Sequence, residues 1–168
     1  MVADDEPAAE IFSVAGNEKQ ARVYDDAVAM VELHPALAAI IEPLKKGMYH
    51  ERSDSKFMPL GKGNQHGLNP HGVIGDEVHE WKGHEQYEAV TTADGTRRQP
   101  LALFITTAGT DLASLCGELH RTALQVKAGV LYRPDLFVAI FAADPGDKWD
   151  DPATVSYTHL RAHETEQH

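Results

Sequence analysis

Short apolar runs alternate along this chain with segments in which apolar residues recur at helical spacing. The runs at residues 8–15, 101–106 and 136–142 predict buried strands, because each is mainly apolar and bounded by turn-forming or charged residues. The segments at residues 17–33 and 111–128 repeat apolar residues three and four positions apart, which predicts amphipathic helices. This alternation predicts an α/β fold with a mainly parallel sheet flanked by helices.

Polar residues and glycines mark the ends of the two longer helices. Asn17 and Gln20 have the spacing of a capping box, and Asp111 is the expected N-cap of the later helix. Gly129 suits the end of that helix, because glycine readily adopts the left-handed conformation found there. Other predicted elements are a helix from Pro35 to about Glu42, weak strands at 48–52 and 56–60, and a helix at 84–93. The expected core faces are Ala21, Tyr24, Ala27, Val28 and Val31 in the first helix, and Leu112, Leu115, Cys116, Leu119, Ala123 and Val126 in the second.

The stretch at residues 68–81 carries the strongest candidate chemistry. Its apolar pair, Val73 and Ile74, runs towards two adjacent carboxylates, Asp76 and Glu77. This pattern predicts a short buried strand ending in two acids, which point in different directions because side chains alternate along a strand. One acid can hold a hydrated Mg²⁺, and the other can take a proton from an attacking water. A strand that simply ends in solvated charges has the same pattern, so both interpretations stay open.

The strand at 101–106 is expected to lie beside the acidic strand. A helical segment separates the two, which fits a βαβ crossover and therefore parallel pairing. Thr106 and Thr107 would then end at the same sheet edge as the acids, where ligands of parallel sheets gather. Hydroxyls beside carboxylates can sense a γ-phosphate and its water; ordinary helix-entry turn chemistry is the alternative interpretation.

Three other motifs give weaker evidence of a functional role. Arg97 and Arg98 precede a strand and are expected at its amino end as solvated charges, with DNA or subunit contact as the alternative. His79 and His84 lack the i, i+4 spacing of a helical zinc site, so His79 is expected to orient the acidic site or simply to be packed. Residues 61–63 lack the leading glycine and the following Ser or Thr of a phosphate loop.

Composition narrows the class of protein. The 168 residues suffice for one domain with a core, and the net charge of −11 disfavours a passive nucleic-acid coat while leaving a motor with a local basic patch open. The single Cys116 excludes an intramolecular disulfide and a multi-cysteine zinc site. No apolar run is long enough for a membrane span, and the acidic N-terminus is unlike a signal peptide, so a cytoplasmic protein is expected.

Residues 155–168 depart from the pattern. They hold three of the ten histidines, show no periodicity, and resemble translated sequencing-adapter read-through. We therefore expect residues 1–154 to form the domain and residues 155–168 to be a non-native tail; a native disordered tail is the alternative.

Several stretches, taken in order and spacing, resemble the ATPase domain of the large terminase subunit of tailed phages, the motor that pumps DNA into procapsids. They read FSVAGNEKQA at 12–21, GLNPHGVIGDEVHEW at 67–81, RQPL at 98–101, ITTAG at 105–109 and WDDP at 149–152. The resemblance covers about residues 5–154. It implies a P-loop NTPase core of the ASCE type.

The resemblance implies a role for each polar residue at the acidic edge. Asp76 would be the Walker B ligand of Mg²⁺, through water, and Glu77 the base that activates the hydrolytic water. Thr106, Thr107 and Gly109 would form the coupling motif, which links the state of the γ-phosphate to domain motion.

The resemblance also implies parts that this sequence lacks. The family places a phosphate-loop strand between the strands at 101–106 and 136–142, yet no G-x-x-x-x-G-K-[ST] motif occurs here. That strand is expected before residue 1 and a nuclease domain after residue 154, so the chain would be an internal fragment, inactive alone. Gly75 stands where the family usually has a bulky apolar residue, which predicts looser packing of the acidic strand.

For the intact parent, the resemblance implies ATP and Mg²⁺ as cofactors. It implies double-stranded DNA, the portal protein and the small terminase subunit as partners, and a homo-oligomeric ring in the cytoplasm of an infected bacterial host. Two alternatives stay open. One is a fragment of a helicase-like or other P-loop ATPase, which would not need the ITTAG and WDDP stretches. The other is a non-enzymatic, acidic α/β interaction module.

Overall fold

The computed structural model describes residues 6–16, 22–60, 67–92, 97–144 and 146–158. Contacts divide the chain into two compact units, Met1–Arg121 and Thr122–His168. The strands and α-helices of the described residues are, in chain order, β1 (Glu10–Ala15), α1 (Arg22–Leu33), α2 (Pro35–Ala38), β2 (Glu42–Leu44), β3 (Gly47–His50), β4 (Ser55–Pro59), β5 (Pro70–Asp76), α3 (Glu85–Thr91), β6 (Leu101–Phe104), α4 (Leu115–Lys127) and α5 (Pro152–Thr158). Short 3₁₀ turns lie at Glu51–Ser53 and Val78–Glu80.

The strands form one sheet in the order β2-β3-β4-β1-β5-β6. β1 pairs in parallel with both β4 and β5, and β5 pairs in parallel with β6. β2 and β3 form a hairpin that extends the sheet from β4 in antiparallel orientation. The predicted mainly parallel sheet is therefore confirmed, and so is the parallel pairing of the acidic strand with the strand that begins at Leu101.

The sheet is buried on both faces, because its central strands carry apolar side chains in alternating directions. On β1, Phe12 and Val14 join one core cluster, together with residues of β5, α3 and the first turn of α4. Ile11 joins a second cluster, which contains Tyr24 and Val31 of α1. Helices thus cover both faces, as the central strands of a parallel sheet require.

The helix predicted to end near Leu33 is present as α1. Ala27 and Val28 pack against the second core cluster, which confirms the predicted apolar face for the residues described. The predicted capping box at Asn17 and Gln20, and Ala21 of that face, lie outside the described residues.

The second predicted helix is shorter than expected. α2 ends at Ala38 rather than near Glu42, and the chain then enters β2, which pairs with β3. Pro43 is tolerated in β2 because this strand lies at the edge of the sheet, where one row of backbone N–H groups needs no partner. The weak strand signals at 48–52 and 56–60 are confirmed as β3 and β4.

α4 begins later than predicted, because Ser114 caps it rather than Asp111. The Ser114 hydroxyl accepts the N–H of Gly117 at 3.3 Å, as an N-cap side chain does. Asp111 instead accepts the N–H of Ala113 at 2.8 Å, in the turn before the helix. Leu112 therefore lies outside the helix and is 76% exposed, so its predicted core position is wrong.

The predicted end of α4 is confirmed. Gly129 has a φ of 70°, the left-handed conformation that glycine adopts without strain. The N–H of Val130 donates to the carbonyl of Gln125 at 2.9 Å, which closes the helix in a Schellman arrangement.

The strand predicted at 136–142 is not formed in the described part of the chain. Its backbone takes part in none of the strand pairs of the sheet, and Phe137 and Phe141 are 91% and 59% exposed. A strand needs a neighbour for its backbone N–H and C=O groups, so an apolar run without one remains irregular.

α5 crosses the boundary that the sequence suggests between residues 154 and 155. Its first three residues belong to the predicted domain, and its last four belong to the predicted tail. Residues 159–168 of that tail lie outside the described part of the chain. Among the helices described, none is both long and apolar enough to span a membrane.

Arg97 corrects the expectation of a solvated charge at the amino end of β6. Its side chain is only 9% exposed and lies 3.8 Å from the carboxylate of Glu6. It donates to the carbonyl oxygens of Pro7, Ala8 and Asn69 at 3.0, 2.7 and 3.3 Å. The guanidinium thus joins the segments that enter β1 and β5, because its donors spread over a planar fork.

Candidate active site

The turns that follow β5 and β6 meet at the carboxyl edge of the sheet, next to Gly16 at the end of β1. Ile105 donates its N–H to the carbonyl of Gly75 at 2.8 Å and accepts the N–H of Val78 at 3.5 Å, which extends the pairing beyond β6. At Gly16, which ends β1, an added Cβ would lie 3.0 Å from the Cβ of Glu80. The absence of a side chain at Gly16 therefore lets the turn after β5 pack closely against the end of β1.

Asp76 is the last residue of β5, and its surroundings fix the course of the chain after the strand. Its Oδ1 accepts the N–H of Glu77 at 2.9 Å. Its backbone carbonyl accepts the indole N–H of Trp81 at 2.9 Å, and Trp81 is itself buried in the core. Asp76 is half-buried, so its carboxylate faces the open end of the sheet while its backbone is anchored.

Glu77 lies outside the strand, with φ 50° and ψ 50°. The alternation of strand side chains that the sequence predicts for the two acids does not extend to Glu77, because its backbone is left-handed. One carboxylate oxygen, Oε2, is buried and makes no hydrogen bond, although it lies 3.1 Å from Nδ1 of His79. The side chain as a whole is 38% exposed, so the buried oxygen faces His79 while the rest of the group reaches solvent.

Thr106 and Thr107 lie against His79, in the turn that follows β6. The hydroxyl of Thr106 accepts the backbone N–H of His79 at 3.1 Å and lies 3.2 Å from its Nδ1. The hydroxyl of Thr107 lies 3.4 Å from the same nitrogen. The structure thus brings the two threonines next to the turn that carries Glu77, as the sequence predicts.

Gly109 packs at the back of this turn. An added Cβ would lie 3.3 Å from the Cβ of His79 and 3.8 Å from the sulfur of Cys116. Cys116 is buried in α4, and its sulfur lies 3.8 Å from the hydroxyl of Thr106. A larger residue at position 109 would press directly on His79, which explains why a glycine fits at this position.

Gly75 does not loosen the packing of β5, contrary to the expectation from the sequence. It is buried, and an added Cβ would lie 2.5 Å from Cδ1 of Phe104 and 3.0 Å from the ring of Trp81. The rings of Phe104 and Trp81 meet edge to face with centroids 6.0 Å apart. Their edges therefore fill the volume that a bulky residue at position 75 would occupy.

Magnesium binding by this edge depends on a single carboxylate. In the described part of the chain, no three His, Cys, Asp or Glu side chains group in a way that could hold a metal ion. Asp76 nevertheless fits an ion that arrives with a nucleotide, because Mg²⁺ takes one or two protein carboxylates and completes its shell with water and phosphate oxygens. With Oδ1 accepting the N–H of Glu77, Oδ2 would be the oxygen available to such an ion.

The sequence alone did not identify three contributors to this edge. Trp81 and Phe104 shape this edge from the core. For His79, the sequence did not distinguish an orienting role from simple packing. The only sequence signal for a role of His79 at the site was its position two residues after Glu77. Its contacts with the 106–107 turn could not be predicted, because they join residues far apart in the chain.

A mostly parallel sheet covered by helices, with acids and hydroxyls at the carboxyl edge of neighbouring strands, is an architecture of the P-loop type. The chain belongs, more specifically, to the family described as the terminase large subunit, ATPase domain, whose model matches residues 1–125.

The chain is also similar to two known proteins. Protein YmfN of Escherichia coli (strain K12) is 37% identical over 86 residues, which are 51% of this chain and 19% of that protein. The crystal structure of the HK97 bacteriophage large terminase superposes with a TM-score of 0.78 at 24% identity, over 95% of this chain and 34% of that chain. The chain thus spans about a fifth of the length of the first relative and a third of the second.

Proposed function

We propose that this chain is part of an ATP-hydrolysing motor that packages viral double-stranded DNA into procapsids. Its membership of the terminase large subunit family supports this proposal at the level of the class. The observation that carries the site assignment is the convergence of Asp76, Glu77 and the 106–107 turn at one sheet edge.

In this proposal Asp76 is the Walker B residue. Its free carboxylate oxygen would accept hydrogen bonds from the water shell of Mg²⁺, while Oδ1 keeps the chain turned at Glu77. Mg²⁺, when bound with ATP, neutralises charge on the phosphates. Trp81 supports Asp76 by holding its backbone carbonyl, so the carboxylate stays at the end of β5.

Glu77 is the proposed general base. Its exposed carboxylate oxygen would accept a proton from the water that attacks the γ-phosphate, and its left-handed backbone sets the direction of the side chain. A residue held in a sparsely populated backbone conformation at a candidate site is a recognised sign of a functional constraint.

Thr106, Thr107 and Gly109 are the proposed coupling motif. The two hydroxyls already contact the turn that carries Glu77, and Gly109 allows that contact by its lack of a side chain. A shift of this turn in response to the γ-phosphate would therefore reach the base directly.

The phosphate loop of the motor would be supplied by another part of the whole protein. β6 ends the sheet among the described strands, and Leu101 and Leu103 on it are 57% and 49% exposed. This apolar edge is suited to pairing with one more strand. We infer that the chain taken alone does not hydrolyse ATP, because the loop and its lysine supply the main phosphate contacts.

For the whole protein we propose the partners and setting of the family: double-stranded DNA, the portal protein, the small terminase subunit and a homo-oligomeric ring in the host cytoplasm. The net charge of −11 on this chain disfavours DNA binding through its overall charge, so a contact with DNA within it would use a local basic surface.

The test uses a full-length large terminase subunit in which the glutamate matching Glu77 is changed to glutamine. Hydrolysis should fall about 10²–10⁴-fold, the range typical for loss of a general base, with ATP binding retained. The change of Asp111 to asparagine is the matched control, because Asp111 lies in the turn before α4 and should leave hydrolysis unchanged.

The chain as it stands provides the complementary assay. We expect no Mg²⁺-dependent turnover from it. Turnover that Glu77→Gln abolishes would contradict the inference that another segment is required. Unchanged hydrolysis in the full-length glutamine variant would contradict the assignment of Glu77 as the base, whereas no hydrolysis by the unmodified full-length subunit would favour a non-enzymatic module.

A further inference from the structure

We propose that His79 is a positioning residue that links Glu77 to the 106–107 turn through a single proton on Nδ1. This inference rests on the proposed function, because it assumes that Glu77 is the base. It gives His79 a defined role in place of simple packing: a donor shared between the base and the turn that senses the nucleotide.

The hydrogen bonds around Thr106 favour a proton on Nδ1 of His79. With the Thr106 hydroxyl donating its one hydrogen to the carbonyl of Thr107 at 2.9 Å, its oxygen is left to accept from the ring nitrogen that lies 3.2 Å away. The hydroxyl oxygen of Thr107 lies 3.4 Å from the same nitrogen and can accept from it as well. Both contacts suit the Nδ1–H form of the ring.

The same proton is within reach of Glu77. Nδ1 lies 3.1 Å from Oε2 of Glu77, which is buried and has no hydrogen bond in the present arrangement. A buried carboxylate oxygen without a donor is costly, so a small rotation of the ring that turns Nδ1–H from Thr106 towards Glu77 is favoured by that oxygen. Movement of the 106–107 turn would thus change the hydrogen bonding between His79 and Glu77.

Neighbouring contacts restrict the ring to this position. The backbone N–H of His79 is bound by the Thr106 hydroxyl, and the Cβ of His79 faces Gly109. On the other side of the ring, Nε2 lies 3.4 Å from a carboxylate oxygen of Glu80, to which the neutral Nδ1–H form donates no hydrogen bond. The side chain is 23% exposed, so the ring is held by contacts on several sides rather than free in solvent.

The first experiment measures the protonated nitrogen directly in this chain. Long-range ¹H–¹⁵N correlation of the imidazole at a pH where the ring is neutral should show the Nδ1–H form for His79. Thr106→Val should shift the Nδ1 resonance, because it removes the accepting oxygen and keeps the shape. His34, which is exposed, provides the control that should not respond. A neutral Nε2–H ring at His79 would overturn the inference.

The second experiment uses the full-length subunit and two amide variants at the matching histidine. Asparagine places an N–H near the position of Nδ1, whereas glutamine places one near Nε2. We expect His79→Asn to keep kcat within a few-fold, and His79→Gln to lower kcat about 10- to 100-fold with KM for ATP unchanged, since misplacement of a reacting group has effects of that order.

Comparison with Glu77→Gln separates the two proposals. If Glu77→Gln is inactive while both amide variants keep their activity, or both lose it equally, the role of Nδ1 is wrong and the ATPase site stands. If Glu77→Gln keeps its activity, the assignment of Glu77 as the base is itself wrong. The measurement on the unmutated ring does not depend on any variant folding.

Discussion

Glu77 combines a candidate catalytic role with an unfavourable backbone conformation. Its φ is 50°. Among the other described non-glycine residues, Ala8 has the same φ and Asp54 has a φ of 57°. The left-handed region costs a residue with a side chain of the order of 1 kcal/mol or more, whereas glycine adopts it freely. In this conformation Oε2 of Glu77 lies 3.1 Å from Nδ1 of His79.

Glu77→Gly should therefore stabilise this chain while removing the proposed base. We expect the free energy of unfolding in urea to rise by about 1 kcal/mol, because the backbone cost disappears. Ala8→Gly is the matched control, since Ala8 has the same φ of 50° and no side chain beyond Cβ. A loss of stability in Glu77→Gly alone would mean that the contact with His79 outweighs the backbone cost.

Position 75 should not tolerate a bulky residue unless Phe104 changes as well. We expect Gly75→Val to lower the free energy of unfolding by about 1–3 kcal/mol, because its Cβ would lie 2.5 Å from the Phe104 ring. In the Phe104→Ala background, the same change should cost at least about 1 kcal/mol less, the coupling expected between residues in contact. Additive effects in this double-mutant cycle would show that Phe104 does not fill the space.

Among the elements, β1 and β5 depend on an arginine that neither of them contains. Arg97 binds carbonyls of the segments that lead into both strands, at the amino edge opposite the candidate site. Its neighbour Arg98 is exposed. Two adjacent arginines therefore have different roles, decided by what each reaches in the folded chain.

Arg97→Met should lower the free energy of unfolding by about 1–3 kcal/mol, because three backbone carbonyls lose the charged donor that joins them. Arg97→Lys should recover little of this loss, since one ammonium cannot reproduce the spread of a guanidinium fork. Arg98→Met should stay within about 0.5 kcal/mol of the unmodified chain in the same denaturation experiment. Equal effects at the two positions would contradict the assignment.

For the molecule as a whole, the exposed edge of β6 sets how the isolated chain behaves. Leu101, Leu103 and Ile105 are each about half exposed, and the sheet of the described residues ends at this strand. An exposed apolar edge strand is a site for pairing between molecules, while the net charge of −11 opposes association.

The isolated chain should therefore self-associate, and more strongly as salt screens its charge. Leu103→Lys should reduce the mass measured by light scattering, because it places a charge on the edge strand. Leu112→Lys changes the net charge equally at an exposed site outside any strand, and it should have a smaller effect. A monomer at every salt concentration would contradict the role of the β6 edge.

Local patterns sufficed for the parts of the fold that depend on neighbours in the chain. Apolar runs and helical spacing predicted β1, β5, β6 and α1, and the crossover between β5 and β6 predicted their parallel pairing and hence one edge for the acids and the threonines. The end of α4 at Gly129 was equally readable, because its requirement for a positive φ is local.

The tertiary structure decided whatever depends on partners distant in sequence. The run at 136–142 had the composition of a strand but lacks a neighbour to pair with among the described residues. The sequence around Arg97 is typical of a surface charge, but in the fold its side chain binds carbonyls about 90 positions away. The sequence predicts loose packing at Gly75, but in the fold the ring of Phe104 occupies the space. Side-chain periodicity reports which face is apolar, whereas pairing, close packing and shared protons depend on what the folded chain places opposite each group.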